Sequence, residues 1–142
     1  MEQGTKAPFH VVLLAVIFDP AKRKILIAKR GHEDEDIQNL VWQFPEARLR
    51  HGDNIDEILK VKVKEKTGLN IENLGAIFSK VYPEKKDLLG IYYLCEATSG
   101  KIKAANDFVE LEWISPKEVE KYFTTSFHPK LKEYLNGLVN GQ

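Results

Sequence analysis

Lys62, Glu65 and Lys66 are the residues whose types and spacing bear most directly on chemistry. If the segment around them is helical, each residue turns the chain by about 100°, so positions 61, 62, 65 and 66 share one continuous arc. That arc reads Val61, Lys62, Glu65, Lys66 and carries a formal charge of +1. Ammonium groups beside a lone carboxylate repel a divalent cation, and a protonated lysine has no lone pair to give a metal. The same ammonium groups could meet an anionic ligand as point charges. A plainer reading makes Lys60, Lys62, Lys64 and Lys66 a solvated face of good helix formers. On that reading Glu65 is solvated or lysine-paired, and Asp53 only stabilises a helix N-terminus.

The elements that must position these residues begin with that helix. The run Lys60-Val61-Lys62-Val63-Lys64 alternates as a strand would. Against this, Asn54 with Glu57 forms a capping-box-like start. Ile55, Leu59 and Val63 recur at helical spacing as an apolar stripe. Gly68 supplies a stop after a lysine-rich last turn. The spacing predicts a helix over Ile55–Thr67.

On either side lie strand signals. His10–Phe18 and Lys24–Arg30 are apolar, β-branched segments joined by the turn cluster Asp19-Pro20-Ala21-Lys22, which predicts a hairpin. Gly31–Asn39 is an acidic loop, and Val41–Phe44 a short strand that Pro45 stops or confines to an edge. Further strands are expected near Ile71–Val81, Leu88–Thr98 and Val109–Ile114, with a turn at Ser99-Gly100. Pro116 opens a short helix, and a terminal helix from Pro129 places Leu131, Tyr134, Leu135 and Leu138 on one face.

At 142 residues the chain has the length of one domain, able to bury roughly two thirds of its unfolded surface in a single core. No repeat, low-complexity tract or composition break divides it, so a single domain over residues 1–142 is expected, with its core at about 9–139. Lys+Arg and Asp+Glu balance at 21 each, so no overall field draws the chain to nucleic acid or an anionic membrane. The apolar run Val11–Phe18 ends in Asp19-Pro20 without a cleavage pattern and reads as a buried strand rather than a leader or a span. The lone Cys95 cannot form an intramolecular disulfide, which fits a reducing, cytoplasmic setting.

From Trp42 to Leu69 the chain resembles the signature of the Nudix hydrolases. That box places a Gly, a Glu, a helical Arg-Glu pair, a Glu-Glu pair and a closing Gly at fixed spacing. Laid on it, this sequence reads Ala47, Asp53, Val61, Lys62, Val63, Lys64, Glu65, Lys66, Thr67, Gly68, Leu69, with Trp42, Pro45 and Gly52 retained alongside. The order of elements from about residue 9 to 139 is also similar. The resemblance implies an α/β/α sandwich around a mixed β-sheet, and a Mg²⁺- or Mn²⁺-dependent hydrolase of nucleoside diphosphates linked to another group.

Carried over residue by residue, Glu65 stands at a metal-ligand position and Asp53 replaces an upstream Glu there. Lys62 and Lys66 stand where carboxylates bind metal or activate water, and Val61 where an Arg orients them. Glu46-Ala47 replaces a glycine pair whose backbone carbonyl reaches the metal, which predicts a different course for that loop. The expected metal ligands are therefore Glu65 and Asp53, with Glu46, Glu110 or Glu112 as compensating carboxylates. Lys62 and Lys66 are the expected contacts to a nucleotide-like ligand. The substitutions predict hydrolysis that is impaired or lost, with a phosphate-binding module using those lysines as the alternative. The resemblance also allows a homodimer. No role is expected for His51 or His128, and core or rim packing is expected for Trp42, Tyr82 and Tyr92. The run Glu33-Asp34-Glu35-Asp36 could bind a cation but reads as solvent-exposed.

Overall fold

The structure is a computed structural model describing residues 8–139. Its organising element is β1 (His10–Asp19), whose apolar residues alternate between the faces of one sheet. Val12, Leu14 and Val16 enter one buried cluster, while Leu13, Ala15 and Ile17 enter another. A strand covered on both faces reads as a continuous apolar run, and this one does.

One edge of β1 runs parallel to β6 (Lys85–Ser99) from His10 to Phe18. The other edge is shared. Near its end β1 pairs with β2 (Lys24–Arg30), and near its start it pairs antiparallel with β4 (Glu46–Leu49). β2 in turn takes β3 (Trp42–Gln43) and β7 (Phe108–Ile114), while β5 (Asn70–Tyr82) closes the far edge on β6. Only the β1–β6 ladder is parallel, so the sheet is mixed. β2 and β4 thus take different stretches of the same edge of β1.

Helix α1 (Ile55–Thr67) covers one face through Leu59 and Val63. A 3₁₀ turn (Pro116–Glu118), the short α2 (Val119–Tyr122) and α3 (Pro129–Val139) cover the other through Val119, Leu131 and Leu135. The expected α/β/α sandwich with a mixed sheet is therefore the observed fold.

The hairpin, the box helix, the long strands and the terminal helix lie where their signals placed them. The stripe on α1 is a correction: Leu59 and Val63 are fully buried but Ile55 is exposed, and the buried face continues through Lys66 and Thr67. Ile55 sits in the first helical turn and joins neither buried cluster. β4 was also unexpected. Pro45 ends the pairing with β2, having no N–H to donate. Its carbonyl then accepts the Ala15 amide at 2.8 Å, and the chain continues as a new strand on β1. Glu46-Ala47 thus lie in a regular ladder, with the Ala47 side chain fully buried.

Candidate functional site

Helix α1 is fixed at both ends by local chemistry. Asn54 Oδ1 accepts the Glu57 amide at 3.0 Å, as a capping residue does. Gly68 adopts φ +81°, and its amide closes on the Lys64 carbonyl. A Cβ at Gly68 would stand 2.4 Å from the Lys101 carbonyl oxygen, so glycine is required sterically as well. The segment after β6 is laced to the same helix end, with the Lys103 and Ala105 amides donating to the Thr67 and Lys66 carbonyls.

That lacing brings Asp107 to Lys66. The Lys66 ammonium donates to the Glu46 main-chain carbonyl at 3.0 Å and to Glu46 Oε2 at 3.1 Å. It also lies 3.5 Å from Asp107 Oδ2. Its side chain is only 9% exposed, and the Phe108 ring stands beside the nitrogen at 5.7 Å. The other oxygen of Glu46 accepts from Gln43 Nε2 at 2.8 Å, and His32 Nε2 lies 3.4 Å from Asp107 Oδ1. Burial alone would raise the Asp107 carboxyl, but the Lys66 charge, hydrogen bonds with His32 and Lys66, and Arg30 together hold it below the usual range.

Lys62 and Glu65 contrast with this. They pair with each other at 3.4 Å, with side chains 40% and 47% exposed. Asp53 is engaged locally: its Oδ2 accepts the Arg50 amide at 2.9 Å, closing a turn in which Gly52 takes φ +86°. That turn explains why Gly52 persists beside an altered box. Glu110 is exposed, and Glu112 lies beside the Tyr122 hydroxyl at 3.5 Å; neither lines the cleft.

Lys62, Glu65, Lys66 and Asp53 do meet around one cleft of about 680 Å³. Arg30, Arg48, Arg50, His32 and Asp107 line it too, and sequence reasoning singled out none of them. The one available signal was the spacing of Arg48 and Arg50, at the end of β4 and just beyond it, in a segment that Pro45 obscured. The cleft is not basic. Five of its lining residues are Arg or Lys and seven are Asp or Glu, so the positive arc on α1 is outweighed by acids from neighbouring segments.

Within the acidic loop Glu33 and Glu35 are exposed, as expected, whereas Asp34 and Asp36 are half-buried and paired. Asp34 Oδ2 accepts the Asp36 and Ile37 amides, and Oδ1 lies 3.4 Å from Arg30. Asp36 pairs with Arg48.

A divalent ion does not fit the residues present. Among the described residues no group of three or more His, Cys, Asp or Glu side chains is arranged to hold one. Glu46, an expected compensating ligand, is committed to Lys66 and Gln43. Lys66, an expected ligand contact, is buried and spends its charge inside the protein.

Adjoining the cleft is a smaller cavity of about 60 Å³, lined by Phe44, Tyr82, Tyr92 and Phe123 together with Lys80. It shares Asp34, Glu46 and Arg48 with the cleft. Tyr82 and Tyr92 face each other, hydroxyl to hydroxyl, at 3.5 Å. Burial pushes the Tyr82 phenol well up and that of Tyr92 to about 12, so both remain protonated hydrogen-bond partners. Trp42, partly buried, packs edge-on against Tyr122 beside the core and lines neither cavity.

The sequence matches the family model for the NUDIX domain over residues 8–135. A NUDIX hydrolase from Nitrosomonas europaea superposes with a TM-score of 0.77 at 13% identity, covering 97% of this chain and 76% of that one. The MutT protein from Methanosarcina mazei gives 0.70 at 14% identity, covering 97% and 98%. An ADP-ribose pyrophosphatase from Streptococcus suis gives 0.62 at 17% identity, covering 93% and 90%. Among curated proteins no sequence is significantly similar to this one.

Proposed function

The chain belongs to the Nudix family, and from that premise we propose that it holds a nucleotide-like ligand in the old catalytic cleft with hydrolysis impaired or lost. The observation that carries this reading is Lys66, whose ammonium sits between the Glu46 carbonyl, the Glu46 carboxylate and Asp107. Nudix hydrolases generally use divalent ions such as Mg²⁺ or Mn²⁺. Here the centre of the platform already contains a cation that cannot polarise a phosphoryl oxygen or lower the pKa of a bound water as a metal does. No step of metal-assisted hydrolysis can be drawn through it.

Two features support a ligand. The charged cleft of about 680 Å³ is of ligand size and adjoins the aromatic cavity through Asp34, Glu46 and Arg48, so a ligand held there has apolar rings beside its ionic contacts. Lys62 is half-exposed at the cleft with a single long ion pair, so its ammonium can exchange Glu65 for a phosphate oxygen at little cost. Lys66 acts on the ligand through the position of Glu46 rather than by contact. Neighbours named as a NUDIX hydrolase and an ADP-ribose pyrophosphatase make nucleoside diphosphate derivatives the class to try.

A Mg²⁺- and Mn²⁺-dependent hydrolysis screen on such compounds, run beside Glu65→Gln, tests this. The expected result is no turnover by either protein, with binding by the parent that persists in EDTA and weakens with salt. Turnover that Glu65→Gln abolishes would overturn the reading and establish a metal site rebuilt around Glu65.

A further inference from the structure

Lys66 is held as a hard cation is held. Its partners are all oxygens: a main-chain carbonyl at 3.0 Å, a carboxylate oxygen at 3.1 Å and a second carboxylate at 3.5 Å. Carbonyls and carboxylates are also the donors that Mg²⁺ and Mn²⁺ prefer. The two carboxylates are braced from behind, Glu46 by Gln43 and Asp107 by His32. The oxygens come from β4 and from the segment preceding β7, while the charge comes from α1, so the ammonium crosslinks separate parts of the chain.

We infer that Lys66 is a tethered cation: its ammonium neutralises an oxygen set that would otherwise draw a divalent ion, and so closes the platform to metal. Glu46, Asp107 and Lys66 together leave a formal charge of −1. Without the lysine the same set carries −2, beside the space left by a long side chain. A metal at such a crosslink can dissociate; a lysine cannot. The lysine stays attached to the chain, so the crosslink does not depend on metal supply. This inference deepens the metal-free reading above and rests on it for the location of the platform.

The test is direct Mn²⁺ binding by electron paramagnetic resonance, in which bound Mn²⁺ loses its free-ion signal, together with thermal melting in EDTA and in Mn²⁺. The parent is expected to bind no Mn²⁺ here and to melt at the same temperature in both. Lys66→Ala is expected to gain Mn²⁺ affinity by at least about tenfold over any parent site, to melt higher with Mn²⁺, and to lose both gains when Asp107→Asn is added. Lys66→Glu, which adds a third carboxylate, is the second variant, and should gain more.

A variant that folds only when refolded with Mn²⁺ would support the inference as strongly. Stoichiometric Mn²⁺ binding by the parent that Lys66→Ala leaves unchanged would overturn it. So would the absence of any Mn²⁺ gain, or of Mn²⁺-assisted refolding, in both variants. Nucleotide binding by the parent in EDTA is measured separately, so failure of the ligand reading and failure of the tethered cation are distinguishable.

Discussion

The two long sides of α1 are constrained in different ways. The inner side places Leu59 and Val63, both fully buried, against Leu13, Ala15, Leu26 and Ala47 of the sheet. The cleft side places Lys62 and Glu65 half in solvent and Val61 49% exposed. Packing dictates the inner residues, because close-packed interiors feel even small changes of volume. Little but chemistry dictates the cleft residues. The fold therefore constrains the inner residues of α1 far more tightly than the cleft residues. Lys66 stands at the boundary, a charged residue from the cleft side held at interior burial. Its ammonium meets the Glu46 carbonyl, the Glu46 carboxylate and Asp107, so here a cleft residue is fixed by interior contacts.

The comparison breaks most visibly at Leu59. Leu59→Ala should cost about 2–5 kcal/mol, from lost transfer energy and the cavity left behind. Urea unfolding would show the midpoint move with an unchanged slope. A loss under about 1 kcal/mol would mean that α1 sits more loosely on the sheet than its burial indicates.

Lys66→Met comes next, keeping the length of the side chain and removing its charge. Breaking a buried pair costs several kcal/mol and an exposed pair at most about 1. With Asp107 39% exposed, a loss of about 2 kcal/mol between those limits is expected. The pH dependence has a definite sign. The Asp107 carboxyl is lowered in the folded state, so its contribution is fully present above its unfolded value and is lost as pH falls through the folded one. The gap between parent and Lys66→Met should be constant near neutrality and shrink below pH 3.8, the ordinary value for Asp. A gap that widens in acid would contradict the pairing.

Asn54→Ala is a smaller break, of about 1 kcal/mol, since it removes one capping bond at an exposed helix start. Asn54→Ser should recover most of that loss, which a role for Asn54 in the cleft would not predict.

How legible these features were in the sequence follows the same division. The bounds of α1 were readable because Asn54 and Gly68 act within one turn of chain, and the continuous apolar run Val11–Phe18 reported burial on both sheet faces. Ile55 was misplaced because helical periodicity gives the face of a helix but not which of its turns are packed. β4 was missed because a proline usually stops a strand, whereas here it marks the change from β2 to β1. The partners of Lys66 lie across the fold at Glu46 and Asp107, and no local pattern pairs a residue of the helix with a turn before β7. Summed charge on α1 therefore suggested a basic site, while the loops that fold over it bring more acid than base.

The cleft side offers the sharpest remaining contrast, between Lys62 and its buried neighbour Lys66. Lys62→Ala should change stability by no more than about 0.5 kcal/mol, because it removes one exposed pair with Glu65. Yet it should weaken binding of a nucleoside diphosphate derivative several-fold at low salt, and the difference from the parent should fade as salt is raised. Glu65→Gln should do the opposite, freeing the Lys62 ammonium and strengthening binding slightly under the same conditions. Titration calorimetry with both variants in EDTA would read the two signs side by side. Weaker binding in both would mean that Glu65 itself meets the ligand, and that the exposed half of the cleft retains more of its old chemistry than its charges indicate.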